Sequence, residues 1–470
     1  MGKAKKFART EKDSLGAKEV PEAAYWGIQT QRALENFPIS GLTPHPKFID
    51  SFVLVKKACA SANVDLGLLK KDIGSAILQA CDEILQGKLR DQFVVDVFQA
   101  GAGTSFNMNV NEVLANRAIE ILGGRRGEYE KCNPNDHVNM AQSTNDVFPT
   151  ATRVCARLLI QDFLPVLEDL EKALGDKGKE FDPILKSART HLQDAVPIRL
   201  GQEFTAYSAT VGKCRGRLAA VAQLLEELGI GGSAAGTGLN TDRRYRSKVC
   251  DCLKTWTKLK FHPAEDLREA MQSNFPVSTT AAVLKLLVVE LGRIANDFRL
   301  LCSGPLTGFA EIVLPAVQPG SSIMPGKVNP SMAEMLNMVC FHVMGSELTV
   351  SLAAQAGQLE LNVMMPVMAF NLNFSLEILK NAVREFTRRC VTGIEANAER
   401  CRHYAEVSPS LATALNSYIG YARAAEVVKK ALKEKKTIPQ VVREDKLLTE
   451  DQIKKILDPK LLTEPGIPGK

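Results

Sequence analysis

Apolar residues recur along this chain at three- and four-residue steps. Over 153–176, Val154, Leu158, Leu159, Phe163, Val166, Leu167, Leu170 and Leu174 form one stripe, which predicts an amphipathic helix. Residues 201–228 predict a second long helix, stopped by Gly229 and the Gly231-Gly232 pair. Over 279–302 the pattern is apolar on most faces, with Val283, Leu284, Leu286, Leu287, Val288, Val289, Leu291 and Ile294. Such a helix belongs inside a bundle or an oligomer interface. Residues 332–356 and 361–389 predict two more, and 105–122 a shorter one with Thr104 as its N-cap and Gly123-Gly124 as its stop. Period-two alternation is scarce, and the glycine-rich segments 229–239 and 304–308 read as connections between helices. Past Arg402, shorter helical pieces are broken at Pro409, Pro439, Pro459 and Pro465. The pattern predicts a mostly α protein: a long central helical bundle flanked by smaller helical N- and C-terminal domains. Boundaries near 145 and 400 give segments 1–145, 146–400 and 401–470.

Composition narrows the class. The chain has 470 residues, 45% hydrophobic but only 6% aromatic, which suits helices better than a β-sandwich. No uninterrupted apolar run reaches the length of a membrane span, so no membrane partner is expected. Met1 to Arg9 is basic without an apolar core, which reads as a solvated arm rather than a secretory signal. The net charge of +6 is mild and the basic residues are dispersed, so no nucleic-acid partner is expected. Eleven cysteines, mostly isolated on apolar segments, lack the spacing of a zinc site and read as buried thiols in a reducing cytoplasm.

Four polar islands interrupt the helical pattern. The densest is Gly320-Ser321-Ser322-Ile323-Met324-Pro325-Gly326-Lys327-Val328-Asn329-Pro330, which gathers two hydroxyls, a cation and an amide between turn-forming residues. A phosphate loop is excluded, because five residues separate Gly320 from Gly326 and Val328 follows Lys327. The others are Gly101-Ala102-Gly103-Thr104-Ser105, the run Asn133 to Asp136 continued by His137-Val138-Asn139 and Gln142-Ser143-Thr144-Asn145-Asp146, and Ser187-Ala188-Arg189-Thr190-His191. Phe106 occupies the third-glycine position of a dinucleotide fingerprint and excludes that reading. Taken singly, these islands are caps, turns or a structural histidine. Taken together they offer hydroxyls, amides, an imidazole and an ammonium, the groups needed to grip two carboxylates and polarise one.

In this order and over nearly the whole chain, the four islands resemble the substrate-contacting regions of the aspartase/fumarase superfamily. The details Gln99 to Thr104, Asn135 to Asn139, Gln142 to Asn145, Leu314 to Pro319 and Gln358 to Met364 are similar to its ammonia-lyase branch. The chain departs from the family pattern at Leu306, Met365, Phe106 and Gly345-Ser346-Glu347. The resemblance implies elimination of ammonia from L-aspartate to give fumarate, without a cofactor, in a homotetramer whose active sites draw on more than one chain. It implies Ser321 as the general base on a loop that closes over substrate, with Gly320 and Gly326 as hinges. Thr104, Ser143, Thr144 and Ser322 would hold the β-carboxylate, and Thr190 would also bind substrate. Lys327 and Asn329 would hold the other, while Asn145 and His191 face the amino group. Glu334 either pairs with His191 or closes a capping box with Ser331. The alternatives are a class II-type fumarate hydratase, a lyase for a modified aspartate, and a non-catalytic structural member of the superfamily.

Overall fold

The computed structural model describes residues 8–469. It is mostly α-helical, with long helices Thr144–Glu180, Leu200–Ala222, Phe275–Leu301, Ser331–Gln355 and Met365–Arg389. Among the described residues, sheet is limited to four two-stranded pairs. Most of the basic arm expected over Met1 to Arg9 lies outside the described residues. Arg9 itself is not solvated: it sits in strand Ala8–Asp13, and its guanidinium donates to Glu11 and to the carbonyls of Pro21, Ala24 and Trp26.

The chain divides into two compact units. One takes residues up to Leu164 with Gly216–Val288 and Phe341–Leu379; the other takes Pro165–Arg215, Val289–Cys340 and the chain from Lys380 onward. The first division falls within the Thr144–Glu180 helix, which runs through both Pro149 and Pro165. Each proline removes one N–H without ending the helix, because the buried stripe of Val154, Leu159 and Phe163 continues on either side.

In the first unit, helices Pro46–Asp65 and Thr104–Ile121 meet through an aromatic cluster of Phe48, Phe52, Phe93, Phe106 and Phe148, and Lys71–Leu85 packs against both helices. Buried Glu112 accepts from the amides of Gly27, Gln29 and Thr30 and from the Thr30 hydroxyl, capping helix Ile28–Asn36 from a distance. Burial pushes its carboxyl up to about 7. The helix expected to reach residue 228 stops at Ala222. Its last turn tightens over Gln223–Glu226, and Glu227–Leu228 leaves as a strand parallel to His262–Pro263. Beyond the helix, buried Arg153 donates to Glu227 O at 2.7 Å and the Ala264 amide donates to Leu228 O at 2.8 Å, which ties this strand in place.

The second unit packs Phe181, Phe204, Tyr207, Phe298 and Phe386 edge-to-face and stacked. A β-hairpin, Leu185–Thr190 with Gln193–Arg199, lies in this unit. Its terminal part has its own core of Leu411, Leu415, Val427, Val441, Val442 and Ile453, with capping boxes at Thr437 and Thr449.

Two helices, Phe275–Leu301 and Ser331–Gln355, are long and apolar enough to cross a membrane by length and composition alone, a property that buried core helices share. Charged residues interrupt them at Lys285, Glu290, Arg293 and Asp297 and at Glu334 and Glu347. Phe275–Leu301 buries Leu284, Leu287, Leu291 and Ile294 but leaves Leu286 and Val289 about half exposed, at 54% and 47%.

Candidate active site

The eleven candidate residues divide between the units, four in the first and seven in the second. In the first unit, Gly103 precedes helix Thr104–Ile121 with φ of 93°, a left-handed conformation that glycine adopts without strain. A Cβ there would lie 2.2 Å from the Phe148 ring. The glycine thus lets the turn rest on the aromatic cluster. Thr104 is the first residue of the helix and not its N-cap, because its hydroxyl donates to Gly101 O at 2.5 Å instead of taking a helical amide. Its oxygen is 3.2 Å from Thr144 Oγ1, which also accepts from the Asn107 amide at 2.9 Å. Phe106 is fully buried in the aromatic cluster, so this departure from the family pattern concerns the core.

Thr144, Asn145 and Asp146 form the first turn of their helix. Asp146 is fully buried and accepts from the amides of Ser143 at 2.9 Å, Gly231 at 3.0 Å and Ser233 at 2.9 Å. One carboxylate therefore fixes both the turn carrying Ser143 and Thr144 and the glycine-rich segment 229–239. Burial lifts its carboxyl to about 7 against those three donors. Asn145 donates to Ala234 O at 2.9 Å. Beneath Thr144, fully buried Lys56 donates to Asn139 Oδ1 at 2.9 Å and Gln142 Oε1 at 2.7 Å, and Asn107 and Asn111 converge on the same Asn139 oxygen. Burial brings the Lys56 ammonium down to about 7. Sequence reasoning passed over Lys56 and gave Asp146, though within a polar island, no role of its own. A lysine within the apolar run Phe52 to Ala60 was the available signal for the first.

In the second unit the serine loop is pinned at its base. Gly320 N donates to Lys327 O at 2.8 Å, and Asn329 Nδ2 donates to Gly320 O at 2.6 Å. A Cβ on Gly320 would lie 2.5 Å from Lys327 O, so this glycine is required by close approach and is not a free hinge. Gly326, with φ of 80° and open space around it, retains that freedom. Between the pinned ends, Ser321 Oγ accepts from the amides of Met324 at 2.9 Å and Ile323 at 3.2 Å. Two backbone dipoles thus point at the candidate base. Ser322, Lys327 and the apolar tip residues Ile323 and Met324 are exposed.

Thr190 and His191 lie at the end of the hairpin. Thr190 pairs with Gln193, leaving His191 and Leu192 as a two-residue turn with φ of 51° and 63°. Both angles positive is the arrangement of a type I′ turn, ordinarily filled by Asn-Gly. Both residues are exposed. Glu334 is exposed in the first turn of helix Ser331–Gln355. The capping box is not formed, since the Ser331 hydroxyl bonds Asn329 O and the Glu334 amide bonds Pro330 O. Among the described residues, no ion pair joins Glu334 to His191 within this chain. Of the remaining departures, Met365 is buried at the start of its helix and Leu306 is 86% exposed.

The chain belongs to the lyase family: the family model described as lyase matches residues 16–345, and fumarase C C-terminus matches residues 411–464. It is 48% identical over 462 residues to an aspartate ammonia-lyase of Bacillus subtilis (strain 168), covering 98% of this chain and 97% of that protein. It is also 48% identical over 460 residues to a class II fumarate hydratase of Halobacterium salinarum, covering 98% of both chains. The solved structure of a fumarate lyase:delta crystallin from Brucella melitensis, bound to cobalt, superposes with a TM-score of 0.94 at 48% identity, covering 98% of this chain and 100% of the other.

Proposed function

We propose that this protein eliminates ammonia from L-aspartate to give fumarate, reversibly. The observation that carries the reading is the Ser321 hydroxyl, which accepts two backbone amides on a pinned loop that also bears Lys327 and Asn329. The Cβ proton of aspartate is too weak an acid for an unassisted side chain. It becomes removable when the adjacent carboxylate accepts the electron pair as an enediolate, with each preorganised donor contributing about 3–4 kcal/mol. In our reading Ser321 takes the proton, its alkoxide stabilised by the Ile323 and Met324 amides and by Lys327. Thr104, Ser143, Thr144 and Ser322 hold the enediolate, and Thr190 also binds substrate. Lys327 and Asn329 hold the second carboxylate. Asn145 and His191 face the amino group, and collapse of the enediolate expels it as ammonia.

The same reading makes the enzyme a homotetramer with shared sites. The exposed apolar residues Leu286, Val289, Phe341 and Leu348 on the long helices support it. Glu334 would then meet His191 across a subunit boundary. Eleven free cysteines support a cytoplasmic location.

A second reading is fumarate hydration, favoured by the equally similar Halobacterium relative. Fumarate appearance followed by ultraviolet absorbance, with L-aspartate and separately with L-malate, distinguishes them. Product from aspartate alone supports the ammonia-lyase, and product from malate alone replaces it with the hydratase. Product from neither refutes both.

A further inference from the structure

The His191-Leu192 turn holds two non-glycine residues in the left-handed region, the second of them β-unbranched but bulky. Such a turn persists only where its surroundings fix it. Just behind the turn, a charge cluster holds the first strand of the hairpin. Arg189 Nη1 donates to Glu311 Oε1 at 2.8 Å, and Lys186 Nζ lies 2.8 Å from Glu311 Oε2 and 2.9 Å from Glu203 Oε1. Glu311 and Lys186 are almost wholly buried, with side-chain exposures of 0% and 2%. The Arg189 guanidinium also stacks between two rings, 4.1 Å from the Phe309 centroid and 5.2 Å from that of Tyr404. The ladder register shifts between Ser187 and Arg189, a bulge that re-aims the strand just before Thr190.

Glu311 is itself fixed. Its amide donates to Leu301 O at 2.9 Å, its carbonyl accepts from the Asn397 amide at 2.9 Å, and the next residues, Ile312–Val313, pair with Glu395–Ala396. The same segment leads on to the serine loop. One anchor thus holds the root of the hairpin and the stem that precedes Gly320.

The geometry points to Arg189 as a positioning residue for the reaction, setting His191 toward the substrate amino group through its bond to Glu311 and its stack between Phe309 and Tyr404. This rests on the proposed role of His191. Arg189 touches no reacting atom and acts through the turn two residues away.

A double-mutant cycle tests it. Arg189→Met and His191→Ala are made singly and together, and kcat/KM for L-aspartate is measured beside the inhibition constant of succinate, which has both carboxylates but no amino group. Misplacing a catalytic group by about 1 Å costs on the order of 100-fold. Arg189→Met should lower kcat/KM by 10- to 100-fold, leave succinate inhibition within about twofold, and add nothing once His191 is Ala. Arg189→Lys, which keeps the charge but not the planar stack, should fall between wild type and Met and serves if the Met variant does not fold. A full Arg189→Met or Arg189→Lys loss in the His191→Ala background, or succinate binding lost in parallel with activity, overturns the proposal. Unchanged kcat/KM in His191→Ala alone overturns instead the role of His191.

Discussion

The Met324 amide donates to Ser321 Oγ at 2.9 Å, and this bond turns the serine oxygen into an acceptor held within its own loop. An oxygen that accepts backbone N–H groups is better placed to carry negative charge than one that only donates. Ser321→Ala removes the oxygen and little else from a partly exposed position. Turnover should drop by about 10²–10⁴-fold, the range of a general base, while binding of succinate remains. Steady-state rates beside succinate inhibition decide the matter. Turnover near that of wild type would exclude Ser321 as the base.

The pinned base of the loop makes a separate prediction. Gly320→Ala would drive a methyl into Lys327 O and Asn329 N, at 2.5 and 2.8 Å. The loop must open there, which shifts Ser321, Lys327 and Asn329 together. We expect kcat to fall by roughly 10- to 100-fold. Global stability should change by less than about 1 kcal/mol, since the strain is confined to a solvent-facing loop. Wild-type kcat in this variant would show that the pin does not set the catalytic geometry.

Lys56 gives a pH signature. Its folded-state value, brought down to about 7 by burial, lies below the ordinary 10.5, so between those values the unfolded chain binds a proton that the native chain does not. Stability contributed by Lys56 therefore rises with pH from about 7 toward 10.5, with a slope of at most about 1.4 kcal/mol per pH unit. Buried Asp146 acts on the acid side. Lifted to about 7, it keeps a proton that the unfolded chain releases, so its contribution is greatest below the usual carboxylate range and is lost as pH climbs to 7. Lys56→Met should erase the alkaline gain. Denaturant unfolding of wild type and variant at pH 7.5 and 9.5, at one protein concentration, should show wild type gaining roughly 1–3 kcal/mol over the variant between the two. Identical pH dependence would mean that the buried amine is not the titrating group.

The long helices were legible because burial on one face repeats every three or four residues, as in Leu159, Phe163, Leu167 and Leu170. The polar islands were legible as chemistry because a bundle core has little other use for hydroxyls, amides and an ammonium clustered together. What pattern could not reveal depends on contacts distant in sequence. Glu227–Leu228 leaves the expected helix to pair with His262–Pro263, and Gly320 proves to be a point of close approach to Lys327 and not a hinge. The hairpin bearing His191 was missed because its strands mix burial classes and its turn carries His-Leu where Asn-Gly would have announced it. Lys56 was missed because charged residues are usually read as surface, and the part Asp146 plays within its island was hidden because only the folded chain shows its partners.

Helix Ser331–Gln355 carries an exposed seam of Met338, Phe341, Leu348 and Leu352, with exposures of 58%, 61%, 59% and 59%. With Gly345 in the intervening place, these positions alternate three- and four-residue steps, the spacing of a coiled-coil seam. A seam of this kind left in water is unfavourable, and packing it against the same helix of other subunits removes the cost. Phe341→Asp places a charge in the middle of the seam, beyond Glu334 on the same helix and well past Ser321, Lys327 and Asn329 in sequence. On the tetramer reading, light scattering behind gel filtration should show the mass falling from about four chains to fewer, with fumarate production lost in step, because sites shared between subunits come apart together. A wild-type protein that is active at the 51.3 kDa of one chain would refute the shared-site reading, as would a Phe341→Asp variant that keeps both wild-type mass and rate.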